Sequence, residues 1–94
     1  MDLDRGWDLH PKVSVRPEPF GALLYHFGTR RLSFLKDRTL LTVVQSLAEA
    51  TTAREACTCA GVSESDLPRY ERALTTLVQS SMLVERAAVV ERAA

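Results

Sequence analysis

Cysteine is scarce in this chain, and the two that occur, Cys57 and Cys59, are too close together for a disulfide framework. On a helix, one intervening residue sets them about 200° apart around the axis. They can then neither share a metal nor face each other, so Cys57 reads as a small buried residue and Cys59 as one nearer the surface. No unbroken apolar run exceeds four residues, which rules out a membrane-spanning helix. The first residues, Met1 to Arg5, are acidic with no apolar stretch behind them, so no secretory signal is expected and the cytoplasm is the expected compartment. Excess charge is absent as well. Twelve basic residues balance twelve acidic ones at a pI near 6.7, which removes the basic surplus usual in a dedicated nucleic-acid binder. Ser-His-Asp sets, paired carboxylates, phosphate loops and metal-ligand spacings are all missing. His10 and His26 do not form a catalytic or metal pair, and His26 in an apolar strand reads as a surface or hydrogen-bonded residue. No enzymatic activity is expected.

What is present suits one small domain: 94 residues, 46% of them hydrophobic. Met1 to Pro11 reads as an arm whose single tryptophan, Trp7, folds back to cover part of the domain. Residues 12–84 are expected to form the domain, and 85–94, with ERAA at 85–88 and 91–94, a fraying tail with helical potential. Lys12–Arg16 alternates with Val13 and Val15 inward, and Pro17-Glu18-Pro19 is expected to end that strand. Residues 21–27 and 31–36 follow as two strands around the turn Gly28-Thr29-Arg30. In the last strand Leu32 and Phe34 point one way, as expected core residues, and Arg31, Ser33 and Leu35 the other. This strand is placed at the sheet edge.

Three helices come next. Asp37 caps the first, whose stripe is Leu40, Val43, Val44 and Leu47, running to about Ala50. Thr52 and Glu55 match the capping-box pattern of a second, with small residues Ala53, Ala56, Cys57 and Ala60 on its inner face and Gly61 at its end. Asp66 is the expected cap of the third, with Pro68 in the first turn. Its stripe is Leu67, Tyr70, Ala73, Leu74, Leu77 and Val78. Met82 to Val84 is an extended segment packed back on the core.

The expected fold is therefore α+β: a three-stranded antiparallel meander followed by three helices, a winged helix-turn-helix-like domain. That shape suggests a winged-helix DNA-binding regulator as one function. The start of the third helix carries Glu64, Asp66 and Glu71 against Arg69 and Arg72, and acids facing phosphate are repelled, so nucleic acid is the weaker reading. A homo-oligomeric scaffold pairing its own edges is a third. The favoured one is peptide binding, because an edge strand beside an amphipathic helix can accept an extended segment through main-chain bonds. Arg31, Leu32, Ser33, Phe34 and Leu35 would form the pairing strand. One flank of the third helix would line the groove, either Arg69, Ala73 and Thr76 or Leu67, Glu71 and Val78.

The residues Leu23-Leu24-Tyr25, the Gly28 turn, the strand ending at Lys36-Asp37 and the helical pattern through Leu83 resemble PqqD-like RiPP recognition elements. The segment Leu9–Leu35 is similar to the mycofactocin-system branch of that family. His26-Phe27 stands where PqqD-type proteins often carry Pro-Glu, which points away from a pyrroloquinoline quinone role. The resemblance implies a non-catalytic peptide chaperone that binds the leader of the mycofactocin precursor. It implies presentation of that precursor to a radical SAM maturase with iron–sulfur clusters, which modifies the precursor's C-terminal Val-Tyr. It implies no cofactor in this protein itself. The Arg69, Ala73 and Thr76 flank is favoured on this basis, since an arginine there could pair with an acidic leader.

Overall fold

The computed structural model of the chain describes residues 1–86. Strand β1 (Trp7–Leu9) comes first, then β2 (Val13–Glu18), β3 (Gly21–His26) and β4 (Arg31–Leu35). Helices α1 (Arg38–Ser46), α2 (Ala53–Cys59) and α3 (Leu67–Gln79) follow, and β5 (Leu83–Glu85) closes the described chain. Strands β2, β3 and β4 form an antiparallel meander in that order, and β1 pairs with β5 in a separate two-stranded antiparallel sheet. The fold is α+β, and β4 is an edge strand.

The face each strand turns to the helices follows from β2. Only β2 alternates cleanly, with Val13 and Val15 apolar and Ser14 and Arg16 polar. Register carries that choice across the sheet, since directly opposed residues share a face. Val15 lies opposite Leu24, and Leu24 opposite Ser33; Pro17 lies opposite Ala22, and Ala22 opposite Leu35. Ala22, Leu24 and Leu35 are accordingly buried beneath α1. Burying a leucine contributes about 1.5–3 kcal/mol, so the faces of β3 and β4 are settled together. This corrects the expectation for Leu32 and Phe34. They lie on the outer face, 55% and 59% exposed, while Leu35 from the supposed outer set is in the core.

Two further differences concern prolines and caps. β2 continues through Pro17 rather than stopping before it. It is the other edge of the meander, where a residue without an amide proton is tolerated. Asp66 sits at the cap position of α3, but its backbone is already helical and its carboxylate accepts no amide. The Ser63 hydroxyl donates to it instead, at 3.3 Å. The other two caps form as expected. Asp37 accepts from the Thr39 amide at 2.8 Å, and Thr52 from that of Glu55 at 3.1 Å. Glu55 reaches back one residue beyond the cap, to the Thr51 amide. Helix α1 ends at Ser46, four residues short of the expected limit, and turns carry the chain on to Ala50.

Gly61 terminates α2 at φ +88°, and the Val62 amide donates back to the Cys57 carbonyl. The same closure ends α3 with a residue that gave no sign of it. Ser81 takes φ +64°, and the Met82 amide donates to the Leu77 carbonyl. Cys57 is buried and Cys59 exposed.

His26 is buried rather than on the surface, and it is hydrogen-bonded. Its Nδ1 accepts from the amides of Gly28 at 2.9 Å and Thr29 at 3.1 Å, which ties the β3–β4 turn to the sheet. That turn places its left-handed residue at Arg30, not at the glycine.

The arm is woven into the core. Trp7 and Leu3 are buried, and the Trp7 indole donates to the Asp2 carbonyl. The carbonyls of Leu3 and Arg5 accept the first-turn amides of Arg54 and Ala53, completing the start of α2. Glu85, assigned to a tail from the sequence, belongs to β5, and Arg86 follows as a clamp. Its guanidinium donates to the Asp8 carboxylate and to the carbonyls of Trp7, Leu47 and Ala50. Residues 87–94, the rest of that expected tail, lie outside the described residues.

Replacing Arg86 with alanine is expected to lower stability by about 2 kcal/mol, the scale of hydrogen bonds to a charged group. Lysine should fail to restore it, because a point charge cannot serve a carboxylate and three carbonyls at once. Urea denaturation of the three proteins checks both expectations.

Candidate functional site

Two adjoining hollows run between β4 and α3. The larger, of about 650 Å³, is bounded by Phe20 and Phe34 on the sheet side and by Arg69, Tyr70 and Ala73 of α3, with Lys36, Asp37 and Arg38 at one end. The smaller, of about 280 Å³, continues along Ser33, Phe34 and Leu35 against Ala73, Thr76 and Leu77. Phe34, Leu40 and Ala73 line both, so the two form one groove.

The upper wall of the groove is a strand with free main-chain groups. The Phe27 amide donates to the Lys12 carbonyl in register with the β2–β3 pairs. Bonding then alternates, so Gly21, Leu23 and Tyr25 of β3 turn toward β2, and Ala22, Leu24 and His26 toward β4. Their partners Leu35, Ser33 and Arg31 are thereby engaged. The amides and carbonyls of Leu32 and Phe34 face outward. Among the described residues, no strand pairs with that edge.

Six of the residues singled out from the sequence come together here: Ser33, Phe34, Leu35, Arg69, Ala73 and Thr76. Arg31 and Leu32 do not line the groove. Arg31 is exposed beside the turn, and Leu32 lies on the outer sheet face. Of the other α3 flank, Leu67 and Glu71 border a separate depression with Leu3 and Arg54, and Val78 packs against the core.

Phe20, Lys36, Arg38, Leu40 and Tyr70 are also groove residues, none of them identified as such from the sequence. The Lys36-Asp37-Arg38 run at the strand-to-helix junction was the available signal. Nothing local marks Phe20, which reaches the groove because Gly21 starts β3 hard against β4. A Cβ at Gly21 would stand 1.9 Å from the Leu35 carbonyl oxygen, and φ there is +152°.

Asp37 holds the junction together. One carboxylate oxygen accepts from the Thr39 amide, and the other from the Tyr70 hydroxyl at 2.5 Å. This joins the end of β4 and the start of α1 to α3 and sets the width of the groove. The Tyr70 hydrogen bond is the main reason the Asp37 carboxyl is held below its ordinary value of 3.8, with amide bonds and the Arg69 charge adding to it. The same bond raises the Tyr70 phenol above 10.0. The Arg69 guanidinium lies over the Tyr70 ring, 5.1 Å from its centre. Lys36, Arg38 and Arg69 thus surround one carboxylate that is already engaged, and this end of the groove is cationic.

The arrangement provides main-chain pairing, an apolar floor and positive charge. It brings together no nucleophile with a base, and no three or more potential metal ligands cluster among the described residues. None of the described helices is long and apolar enough to cross a membrane.

A family model described as the peptide chaperone MftB family matches residues 6–84. The chain is 64% identical over 86 residues to the peptide chaperone MftB of Mycobacterium tuberculosis, covering 92% of this chain and 79% of that protein. It is 61% identical over 88 residues to that of Mycobacterium ulcerans, covering 94% and 81%. It is 60% identical over 84 residues to that of Mycolicibacterium smegmatis, covering 89% and 82%. No solved structure matches the chain.

The Asp37–Tyr70 bond makes stability depend on pH at both extremes. Asp37 has a folded pKa below its unfolded value, so its contribution is whole above about 4 and is lost as pH falls through the folded value. Tyr70 has a folded pKa above its unfolded value, so its contribution is whole below 10.0 and is lost as pH rises through the folded value. Tyr70→Phe should lower stability by about 1.5–3 kcal/mol at pH 7. It should also remove the tyrosine part of the alkaline decline and shrink the acid one. Urea midpoints from pH 2.5 to 11 read all three effects.

Proposed function

The chain belongs to the MftB peptide chaperone family, and from that premise we propose that it binds the leader of a ribosomally made precursor peptide, the mycofactocin precursor, by strand addition to β4. It then presents the bound precursor to a radical SAM maturase in the cytoplasm. The protein itself is not an enzyme; the chemistry belongs to the maturase. The observation that carries the binding mode is the outward row of amides and carbonyls at Leu32 and Phe34, set beside a groove with an apolar floor.

In this reading each part of the groove has a task. Within Arg31–Leu35, the outward amides and carbonyls of Leu32 and Phe34 supply affinity through main-chain bonds. Alternate leader side chains fall between β4 and α3, over Leu40 and Ala73. Arg69, with Lys36 and Arg38 nearby, receives an acidic leader side chain at the cationic end. Thr76, whose hydroxyl donates to the Arg72 carbonyl, offers its oxygen as an acceptor at the other end. In this reading the domain is a winged helix-turn-helix-like scaffold given over to peptide recognition. Nucleic acid stays outside this reading, because Arg69, one of the two bases near the start of α3, is turned into the groove.

Leu32→Pro and Phe34→Pro each delete one outward amide without touching the β3 ladder. Each is expected to weaken leader binding at least tenfold by calorimetry, about 1.4 kcal/mol, while circular dichroism shows the fold retained. Leu32→Ala should bind within threefold of the parent. A folded Leu32→Pro protein with undiminished affinity would sink the strand-addition mode.

A further inference from the structure

We infer that the outer face of the β2–β3–β4 sheet is the docking surface for the modifying enzyme, through an enzyme patch apolar at its centre and acidic at its rim. The inference rests on the peptide-chaperone reading above and adds to it the place where the enzyme binds.

The face is apolar where a free sheet face is normally polar. Among the described residues, the exposed large hydrophobics are Phe20, Phe27, Leu32 and Phe34, at 48%, 61%, 55% and 59% exposure. All four lie in or beside the meander. Half-buried Leu23 and Tyr25 join them, since Leu23 opposes Phe34 and Tyr25 opposes Leu32. Phe27 stands edge-on to Tyr25 at 5.0 Å, and Phe20 lies 6.4 Å from Phe34. A contiguous exposed patch of this kind marks an interaction site.

The zero net charge of the chain hides a strong segregation. Residues 12–38 hold Lys12, Arg16, Arg30, Arg31, Lys36 and Arg38 against only Glu18 and Asp37, a net charge of +4 that the rest of the chain balances with −4. Lys12 and Arg16 stand in outer-face rows, exposed Arg30 and Arg31 at the β3–β4 turn, and Lys36 and Arg38 at the groove. Both acids are already engaged, Glu18 by Arg16 at 2.9 Å and Asp37 by Tyr70. Arg16 stands in the same cross-strand row as Leu23 and Phe34, and Lys12 lies opposite Phe27. A second copy of the chain would bring two basic rims together. An acidic rim on a different protein is complementary.

The peptide selects an enzyme over a lipid surface. A strand added to β4 points half its side chains into the groove and half onto the outer face, beside Leu32 and Phe34. Sheet and leader then form one continuous surface. Only a partner that must recognise chaperone and peptide together gains from that. The coupling is reciprocal, so leader and enzyme should each strengthen binding of the other.

The test uses the full chain, the leader segment without the modified end, and the radical SAM maturase. One variant, Tyr25→Thr with Phe27→Ser, removes apolar groups that do not line the groove. A second, Lys12→Glu with Arg16→Glu, reverses exposed charge on the strand farthest from β4 and so tests the face even if the first variant fails to fold. Leader affinity should stay within threefold in both. Enzyme affinity should fall at least tenfold in both, and for the parent it should weaken with rising salt and tighten when leader is present. Enzyme affinity unchanged in the folded variants would overturn the inference. So would capture of the parent but not the variants by phosphatidylglycerol vesicles with enzyme binding intact, or a parent dimer in sedimentation that the variants abolish. Failure of the parent to bind leader would instead strike the reading under Proposed function, and the enzyme titrations would still decide the docking face.

Discussion

A single carboxylate governs the geometry of the groove. Asp37 ends β4, caps α1 and accepts a hydrogen bond from Tyr70 on α3. Three elements therefore meet at one residue, and the distance between the edge strand and the helix opposite follows from that meeting. The hydroxyl and the carboxylate each shift the other's ionisation in the direction that keeps the bond at neutral pH. Around this brace the cations Lys36, Arg38 and Arg69 gather at one end of the groove.

The meander carries apolar side chains on both faces. One face packs beneath α1 and supplies the core, through Ala22, Leu24 and Leu35. On the other, among the described residues, the aromatics Phe20, Phe27 and Phe34 are exposed. A domain of this size could cover a second sheet face only with another layer. Its remaining elements are spent elsewhere: β1 and β5 pair with each other, and Arg86 clamps them to the end of α1. Among the described residues, the two-sided strand β4 thus has an uncovered face and an unpaired edge, which are the two surfaces a carrier of peptides can use.

Much of this was legible in the order of residues. The caps Asp37 and Thr52, the small inner face of α2, the Gly61 stop and the burial of Trp7 and Cys57 each have a local cause, and each formed. The face of β4 did not follow from β4 itself. RLSFL has apolar residues at both parities, and a one-residue change of register exchanges the faces. The deciding information lay two strands away, in the alternation of Val13 and Val15, and it became usable only once the pairing was known. Ser81 and His26 escaped for a different reason. Their contacts are local, the Met82 amide to the Leu77 carbonyl and the Gly28 and Thr29 amides to His26 Nδ1, but neither serine nor histidine is the residue type that usually announces such a role.

By itself, then, the sequence determined the three strands of the meander and the three helices in their order, most of their limits, and the family, but not the separate β1–β5 pair. These rest on periodicity, capping and motif, which act over a few residues. Which α3 flank borders the groove, which side of β4 is core, and how a neutral chain sorts its charges into a basic sheet were decided only in three dimensions. Those outcomes depend on register and packing between segments tens of residues apart. No local preference of a residue encodes which distant side chain will stand opposite it.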